Sequence, residues 1–305
     1  MVLLSICIPT YNRKEYLRNT LDSIVSQDIF VNTYDVNIVI SDNASSDGTD
    51  ELVEGYISRF PDKIIYHRND NNIGFANFER VLSIANGQYL KLNNDTLHFK
   101  SGTLQKMLDY IKANLETENI LFWGNGNKNI KNNLTTYSDI NAFVSGVSYF
   151  NTWIGSFGIW KKDFELVKTI FEEKNYTEIP QTFILFQFLE NNRNITCVND
   201  SLFESICPDK KGGNYNVAEV FGENYLNLLN DYCEKNLLSD KVYKEEKKLL
   251  LKFINHYYFD IDNMYNFKKT GYFRYLLKYY FYNLYFYRFY LKMRCKQYVQ
   301  QYLQK

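Results

Sequence analysis

Apolar residues near the start of the chain alternate between short continuous runs and stripes at helical spacing. Residues 2–9 (VLLSICIP) form a continuous apolar run, which is typical of a strand buried on both faces. Further strands are predicted at 35–41, 64–67 and 88–92, and helices at 15–27, 52–57 and 75–85. This alternation predicts a parallel sheet with helices on both faces.

The pattern is less regular after residue 95. It predicts helices near 103–114, 162–173 and 181–190, strands near 120–123 and 195–206, a strand and turn at 151–160, and loops at 124–137 and 208–216. From residue 217 onward the spacing is mostly helical. The sequence therefore predicts an α/β protein with a mainly helical C-terminal region.

The composition is that of a globular chain: 305 residues, 45% of them hydrophobic, with no formal net charge. This length suits one large domain or two of ordinary size. The five cysteines are odd in number and lack C-x-x-C spacing, which argues against a disulfide framework or a zinc site. The sequence has no signal-peptide pattern and no run of about 18 apolar residues, so we expect a cytoplasmic location.

Polar residues follow each of the four predicted strands. They are PTYNR at 9–13, DNASSDGT at 42–49, NIGF at 72–75 and LNNDT at 92–96. Because ligands of parallel sheets bind at the carboxyl ends of the strands, these residues predict one binding edge. Taken singly, each also fits a structural role, namely a cap of the first helix by Asn12, a helix cap by Ser46 or Asp47, or a plain turn.

Three stretches carry a family resemblance: SICIPTYNR, VISDNASSDGT and NIGFANFERVLSIANGQYLKLNND. Together they resemble the family 2 glycosyltransferases of GT-A fold over roughly residues 3–110, and a looser likeness continues through WIGSFGIW and GGNYN. The likeness is to the bacterial enzymes that build capsule, lipopolysaccharide or wall-polymer sugars. It implies a GT-A, Rossmann-like fold with a nucleotide-sugar-binding half at 1–110, an acceptor-binding half at 111–235 and a helical, basic-aromatic region at 236–305.

The resemblance also implies roles for the residues at the strand ends. The loop after the first strand holds the nucleotide, and the aspartate after the second strand contacts the base, usually uracil. Oxygen ligands after the fourth strand bind Mn²⁺ or Mg²⁺ and the donor diphosphate. The residues at these positions, with Gly74 after the third strand, are Pro9, Thr10, Tyr11, Arg13, Asp42, Asn43, Asn93, Asn94 and Asp95. Two of the three usual carboxylate positions are asparagine, so Asp95 is the sole charged metal-ligand candidate and we expect a modest metal affinity.

The implied reaction is transfer of a sugar, with inversion, from a nucleotide-diphosphate donor, usually a UDP-sugar, to a bacterial surface glycan or a polyprenyl-linked acceptor. A carboxylate of the second half deprotonates the acceptor hydroxyl in this chemistry. Glu178 stands at roughly the position of the family's base and Asp163 is its rival, although either also suits a surface or helix-start position. Trp153 and Ser156 fit an acceptor site or the core, and the basic segment 210–214 fits either a mobile loop over the diphosphate or an ordinary surface loop.

Two other functions stay open. A degenerate GT-A module would bind nucleotide or glycan without turnover, and the two asparagines favour this alternative. A nucleotidyltransferase also uses a parallel sheet and a metal, but it ordinarily carries a glycine-rich basic loop after its first strand, and residues 9–13 contain no glycine.

The C-terminal segment 268–305 contains nine lysines and arginines and no acidic residue, so it carries a formal charge of +9 and the rest of the chain −9. Wound as one helix, it would place five cations within about 80° of one another, beside a surface of Tyr, Phe and Leu. These cations are Arg274, Lys278, Arg288, Lys292 and Lys296. The pattern favours peripheral contact with an anionic membrane, at the inner face of the cytoplasmic membrane. A helix packed on the catalytic domain and an oligomer contact stay open, and no nucleic-acid partner is expected because no recognition motif is present.

Overall fold

The computed structural model describes residues 2–168, 178–205, 215–259 and 267–303, which form two compact units, Met1–Ile206 and Cys207–Lys305. The first unit contains residues of both predicted halves of the catalytic domain, so the functional boundaries at 110 and 235 stay predictions. The basic segment 210–214 and the last residues of the predicted helix 162–173 lie outside the described residues.

The first unit combines strands with helices. Its strands are, in chain order, β1 Leu4–Thr10, β2 Val36–Asp42, β3 Ile64–Arg68, β4 Tyr89–Leu92, β5 Leu97–Phe99, β6 Ile120–Trp123, β7 Leu134–Tyr137, β8 Gly158–Trp160, β9 Ile195–Val198 and β10 Phe203–Ser205. Its helices are α1 Lys14–Val25, α2 Asp28–Asn32, α3 Thr49–Arg59, α4 Ala76–Ser83, α5 Thr103–Ala113, α6 Ile140–Val147, α7 Lys161–Val167 and α8 Pro180–Glu190.

The main sheet has the strand order β3-β2-β1-β4-β8. The first four strands pair in parallel, and β8 lies antiparallel beside β4. The parallel sheet predicted from residues 2–92 is thus confirmed. β2 is buried at every position and β1 at all but one, as continuous apolar runs predict.

Two smaller sheets complete the first unit. β6, β9 and β7 form one of them, and β5 pairs antiparallel with β10 in the other. β7 corrects the predicted loop at 124–137. Burial alternates along this strand, with Leu134 and Thr136 exposed and Tyr137 buried. The residue types do not follow this alternation, because the exposed Leu134 is apolar and the less exposed Thr135 is polar, so the sequence carries no strand signal.

Segment 151–160 also differs from its prediction of a strand and a turn. Two 3₁₀ turns, Ser148–Thr152 and Ile154–Ser156, occupy most of it, and the strand β8 covers only the last three residues. The sequence pattern likewise does not predict α2, β5 or α6, which have five, three and eight residues. Elements this short do not span enough turns or alternations to produce a recognisable period.

The second unit is helical, as predicted. Its helices are α9 Val217–Glu219, which continues through a π-helical turn at Val220–Asn224 into α10 Tyr225–Glu234, then α11 Asp240–Tyr258, α12 Tyr272–Tyr280 and α13 Leu284–Leu303. No helix among the described residues is both long and apolar enough to cross a membrane.

The single helix that would align the five C-terminal cations is interrupted. Residues 281–283 separate α12 from α13, and the Asn283 side chain accepts a hydrogen bond from the backbone N–H of Phe286 at the start of α13. An asparagine in this position favours a new helix start over continuation. Arg274 and Lys278 therefore lie on α12, and the remaining three cations of the predicted stripe lie on α13.

Candidate active site

The carboxyl ends of β1, β2 and β4 bring the predicted site residues to one edge of the main sheet. Thr10 is paired with Asp42 in the β1–β2 register, and Asn43 N–H donates to the Thr10 carbonyl at 2.9 Å. On the other side of β1, Asn93 N–H donates to the Cys7 carbonyl at 2.8 Å. Residues that lie tens of positions apart in the sequence thus become neighbours, as the parallel topology predicts.

Asp95 is held by the loop that follows β1. Its Oδ1 accepts a hydrogen bond from Arg13 Nη1 at 3.0 Å, and its Oδ2 accepts one from Thr10 Oγ1 at 2.9 Å. Thr20 on α1 donates to the Asp95 backbone carbonyl at 2.9 Å. Burial raises the pKa of the Asp95 carboxyl, and the Arg13 guanidinium opposes that rise. The result is a partly buried ion pair that ties the loop after β4 to the start of α1.

Asp42 is fully buried at the end of β2 and is held mainly by uncharged donors. Its Oδ1 accepts from Ser45 N–H at 2.9 Å, and its Oδ2 accepts from the Tyr66 hydroxyl at 2.9 Å. Arg68 Nε lies 3.7 Å from the same Oδ2. Burial raises the pKa of the Tyr66 hydroxyl and the bond to Asp42 raises it further, so Tyr66 stays protonated as a donor. Sequence reasoning missed Tyr66 and Arg68, although both stand at the end of a predicted strand.

The loops after β1 and β2 lock together through side chains. Asn12 has a positive φ of 50°, its Oδ1 accepts from Ser46 N–H at 2.8 Å, and its own N–H donates to Ser45 Oγ at 2.8 Å. The alternative that Asn12 caps α1 is therefore wrong, since its side-chain oxygen bonds the second loop instead. Tyr11 beside it is exposed, which leaves its ring accessible at the edge.

The cap expected at Ser46 or Asp47 is also wrong. The N-cap position of α3 is Gly48, which has a φ of +79° and is followed by Thr49 as the first helical residue. Asp47 accepts instead from Lys14 N–H at 2.8 Å and from Thr49 Oγ1 at 2.6 Å. Asp47 thus supports the connection between the two loops.

Asn43 fixes the loop after β3. Its Oδ1 accepts from Ile73 N–H at 2.8 Å, and its Nδ2 donates to Asn72 Oδ1 at 2.7 Å. Gly74 in this loop has a φ of +61°, a left-handed backbone conformation that glycine adopts without steric cost. Asn43 and Gly74 therefore have a defined structural part, and their contact with nucleotide stays a prediction.

Asn93 and Asn94 occupy the positions where the resemblance expects carboxylates. Asn93 is fully buried, its Nδ2 donates to the Asn94 carbonyl at 2.9 Å, and among the described residues its Oδ1 has no hydrogen-bond partner. An unpartnered buried carbonyl oxygen is costly unless a ligand, water or ion satisfies it. This atom therefore marks a polar contact that the described part of the chain does not supply.

The residues at this corner do not fit the Mn²⁺ or Mg²⁺ that the resemblance implies. Both oxygens of Asp95 already accept hydrogen bonds, one of them from a guanidinium. Within the described ranges, no group of three His, Cys, Asp or Glu side chains is arranged to hold a metal ion. Mg²⁺ in proteins ordinarily takes one or two carboxylates together with phosphate and water, and the carboxylate available here is ion-paired.

Lys91 lies inside β4, two residues before Asn93, and sequence reasoning missed it. It is fully buried, its Nζ donates to the Leu92 carbonyl at 2.6 Å, and the same Nζ lies 5.0 Å from the centre of the Phe203 ring. Burial lowers the pKa of Lys91 to about 7. One signal could have identified Lys91: it is a charged residue within a strand of a sheet that was predicted to be covered by helices on both faces.

The two candidates for the catalytic base differ in their surroundings. Asp163 on α7 is buried, and its Oδ2 accepts from Arg193 Nη2 at 2.6 Å, while the same guanidinium nitrogen donates to the Glu118 carbonyl at 2.9 Å. Burial raises the pKa of Asp163 and Arg193 opposes that rise. This ion pair joins α7 to neighbouring loops and is consistent with a structural role.

Glu178 is half-buried in the turn that precedes α8. The start of α8 contacts the 3₁₀ segment, because Gln181 Nε2 donates to the Thr152 carbonyl at 2.7 Å and Thr182 Oγ1 donates to the Asn151 carbonyl at 3.2 Å. Ser156 in the same segment is buried, and its Oγ donates to the Trp153 carbonyl at 2.6 Å. Glu178 is therefore tied to the predicted acceptor segment through α8, and its role as a base stays a prediction.

Comparison with known proteins places these observations in a family. The sequence model described as glycosyl transferase family 2 matches residues 5–170. Abequosyltransferase RfbV of Salmonella typhimurium is 49% identical over 89 residues, which are 29% of this chain and 26% of that protein. A Campylobacter jejuni GalNAc(5)-diNAcBac-PP-undecaprenol beta-1,3-glucosyltransferase is 32% identical over 116 residues, which are 37% of this chain and 35% of that protein. The chain thus spans well under half the length of these curated relatives.

Solved structures share the fold. S. aureus TarS 1–349 in complex with UDP superposes with a TM-score of 0.56 at 15% identity, over 85% of this chain and 73% of that one. The mannosyltransferase PcManGT from Pyrobaculum calidifontis, in complex with GDP-Man and Mn²⁺, gives a TM-score of 0.52 at 12% identity, over 83% of this chain and 70% of that one. These likenesses confirm the GT-A, Rossmann-like fold with its helical C-terminal region. With the family match over more than half of its length, the chain belongs to glycosyl transferase family 2.

Proposed function

We propose that this chain transfers a sugar, with inversion, from a UDP-sugar to a bacterial surface glycan or a polyprenyl-linked acceptor. The observation that carries the proposal is the assembly of Arg13, Asp42 and Asp95 at one edge of the sheet. A structural neighbour bound to UDP supports the donor class, and the name of the Campylobacter relative supports a lipid-linked acceptor.

In this proposal the two carboxylates of the edge have different tasks. Tyr11 is exposed beside the edge and packs against the base or ribose. Asp42 accepts a hydrogen bond from a base N–H, and the half-exposed Arg68, at 3.7 Å from the carboxylate, moves aside to admit the base. Asp95 orients Arg13 toward the diphosphate. The nucleotide therefore spans the edge from the end of β2 to the end of β4.

The reaction is a single displacement. The acceptor hydroxyl oxygen attacks the anomeric carbon, the bond between that carbon and the diphosphate oxygen breaks, and its electron pair leaves with the nucleoside diphosphate. Glu178 accepts the proton of the attacking hydroxyl, a contribution of about 10²–10⁴-fold in general base catalysis. We favour Glu178 because it precedes α8 at roughly the position that the family resemblance gives to the base, and because the ion pair of Asp163 with Arg193 fits a structural role.

A panel of nucleotide sugars tests this function. Thermal unfolding is measured with UDP-, GDP- and CDP-sugars, with and without Mn²⁺, because a ligand that binds only the native state raises its stability. We expect UDP-sugars to raise the Tm most, and release of UDP from the stabilising donor to follow when extracted lipid-linked glycans are added. A stabilising donor without UDP release would favour the binding-module alternative, and pyrophosphate release from a nucleoside triphosphate and a sugar phosphate would favour a nucleotidyltransferase.

We further propose that the second unit binds an anionic membrane surface, which would place the enzyme at the inner face of the cytoplasmic membrane. Arg288, Lys292 and Lys296 recur every four residues on α13 and are all exposed, as are Leu284 and Tyr298. The alternative of a packed helix also holds in part, because α12 and α13 bury Leu276, Tyr280 and Phe286 on a different face. A helix with one buried face and one exposed cationic-apolar face suits the headgroup region.

Co-sedimentation with vesicles tests the membrane proposal. The full chain is expected to sediment with phosphatidylglycerol vesicles and to stay in solution with pure phosphatidylcholine vesicles. Because each basic residue near an anionic surface contributes about 1 kcal/mol, replacing Arg288, Lys292 and Lys296 with glutamine should weaken the binding by about 10²-fold. Equal sedimentation of the wild-type chain and the triple variant would contradict the proposal.

A further inference from the structure

We propose that Arg13, in place of a divalent metal, supplies the positive charge that faces the donor diphosphate. The site concerned is the corner formed by Thr10, Arg13, Asn93 and Asp95, here called the Asp95 corner. This inference rests on the proposed nucleotide-sugar function, and it concerns the way in which this chain binds the charge of that ligand.

The exposure of the ion pair carries the argument. The Asp95 side chain is only 4% exposed, whereas the Arg13 side chain that is paired with it is 34% exposed. A ligand that approaches the edge therefore meets the guanidinium before it meets the carboxylate. A metal site would require the reverse arrangement, with carboxylate oxygens pointing at the ligand and no cation between them.

The charge of the Asp95 corner leads to the same conclusion. Asn93 and Asn94 are neutral, and the charge of Asp95 is balanced by Arg13. With carboxylates at 93 and 94 the corner would be strongly negative and would need a dication before a diphosphate could bind. As it stands, the corner has no net charge, so no dication is needed to offset repulsion between its side chains and a diphosphate.

Arginine is chemically suited to this task. Its planar guanidinium has five N–H donors and matches the oxygens of a phosphate in a two-pronged contact. As the bond between the sugar and the diphosphate breaks, negative charge grows on the leaving oxygen, and hydrogen bonds from a fixed cation stabilise it. No proton is transferred in this contact, because arginine stays protonated throughout.

The Asn93 side-chain oxygen adds a second feature to the corner. It is buried and has no hydrogen-bond partner among the described residues. A neutral amide oxygen accepts a hydrogen bond from a hydroxyl group without requiring a cation. We therefore assign it to a hydroxyl of the donor sugar or ribose.

Isothermal titration calorimetry with UDP tests the inference on the full chain. We expect the dissociation constant of UDP to be the same within about twofold in EDTA and in Mn²⁺. Arg13→Ala should weaken UDP binding by about 10- to 100-fold in EDTA, as expected for the loss of hydrogen bonds between a cation and a phosphate. Arg13→Lys, which retains the charge but not the planar fork, should lie between the wild type and Arg13→Ala.

The variant Asp95→Asn distinguishes a charge supplied by Arg13 from a metal ion held by Asp95. Asparagine at this position keeps a side-chain oxygen that can hold Arg13 but removes the carboxylate that a metal would need. If Arg13 supplies the charge, adding Mn²⁺ changes the UDP dissociation constant of neither the wild type nor this variant by more than about twofold. Circular dichroism confirms that each variant is folded, and electron paramagnetic resonance measures Mn²⁺ binding directly, with no tight binding expected.

Three outcomes are distinct. A gain of tenfold or more in UDP affinity on adding Mn²⁺, abolished in Asp95→Asn, would overturn the inference while leaving the proposed function intact. Unchanged UDP affinity in a folded Arg13→Ala would also overturn it. Failure of UDP to bind in either buffer would overturn both this inference and the proposed donor.

Discussion

The carboxylates of residues 2–110 and those of residues 111–205 are positioned by different means. Asp42 ends β2 and Asp95 follows β4, the two parallel strands on either side of β1, and each carboxylate receives hydrogen bonds at the same sheet edge. Asp163 and Glu178 lie on either side of segment 169–177, next to short helices and 3₁₀ turns. One pair is placed by a regular topology, and the other depends on local packing.

This difference separates the two steps of the proposed reaction. Donor binding uses groups that lie at, or within a few residues of, the carboxyl ends of strands in one sheet. Deprotonation of the acceptor uses a group whose position depends on the contact between α8 and the turn at Thr152. Variants of the first half should therefore change nucleotide affinity, and variants of the second half should change turnover or stability.

The largest effect is expected at Glu178. Replacing it with glutamine removes the proposed base but keeps the shape, so turnover should slow by about 10²–10⁴-fold while the affinity for UDP stays unchanged. UDP release and calorimetry measure the two quantities. Glu116→Gln, on an exposed residue with a similar change of charge, is the matched control. Near-normal turnover of the Glu178 variant would show that the base lies elsewhere.

Asp42→Asn should have the next largest effect. The substitution removes a charged acceptor for the base N–H, so UDP affinity should fall by about 10- to 100-fold. Asp70→Asn, at an exposed position in the following loop, should leave the affinity unchanged. A lowered Tm with unaltered UDP affinity would mean that Asp42 only fixes Ser45 and Tyr66.

Asp163→Asn should change stability rather than turnover. The substitution leaves Arg193 without its ionic partner, and the guanidinium is partly exposed to solvent. We therefore expect a loss of about 1–3 kcal/mol in the free energy of unfolding, below the roughly 3–5 kcal/mol typical of a fully buried pair. Urea denaturation measures it. If turnover instead slowed by about 10²-fold at unchanged stability, the usual magnitude of base catalysis would identify Asp163 as the base.

The smallest effect concerns Gly74. Its φ of +61° disfavours any other residue, although a Cβ there would meet no atom within 4 Å. Gly74→Ala should therefore cost about 1 kcal/mol of stability. Gly102→Ala, at a φ of +76° with equally open surroundings, should cost the same. If Gly74 also approaches the nucleotide, only Gly74→Ala will weaken UDP binding, and equal affinities for the two variants would exclude that contact.

The main sheet and its edge were predictable because their signals are local and periodic. The apolar runs of β1 and β2 specify strands, and parallel strands must bring Thr10, Asp42 and Asn93 to the same edge. The partners of these residues have no comparable signal in the sequence. The Arg13–Asp95 pair joins positions 82 residues apart, so its existence depends on the folded path of two loops.

The structure of residues 111–205 was harder to predict for the same reason. In β7 the apolar Leu134 is exposed, so apolar and polar residue types do not follow the burial of the strand. The segment around Trp153 adopts 3₁₀ turns that leave no apolar period. The pairing of Asp163 with Arg193 likewise has no sequence signature, because it depends on how α7 packs near β9. The sequence shows where a carboxylate stands, but it does not show whether a cationic side chain will pair with that carboxylate in the folded protein.

A crystal structure of the chain with UDP tests the central claim most directly. We predict that the uracil lies against Tyr11 with an N–H donating to Asp42, and that the diphosphate contacts the Arg13 guanidinium. UDP bound away from the carboxyl ends of β1, β2 and β4, or a diphosphate without contact to Arg13, would contradict the account.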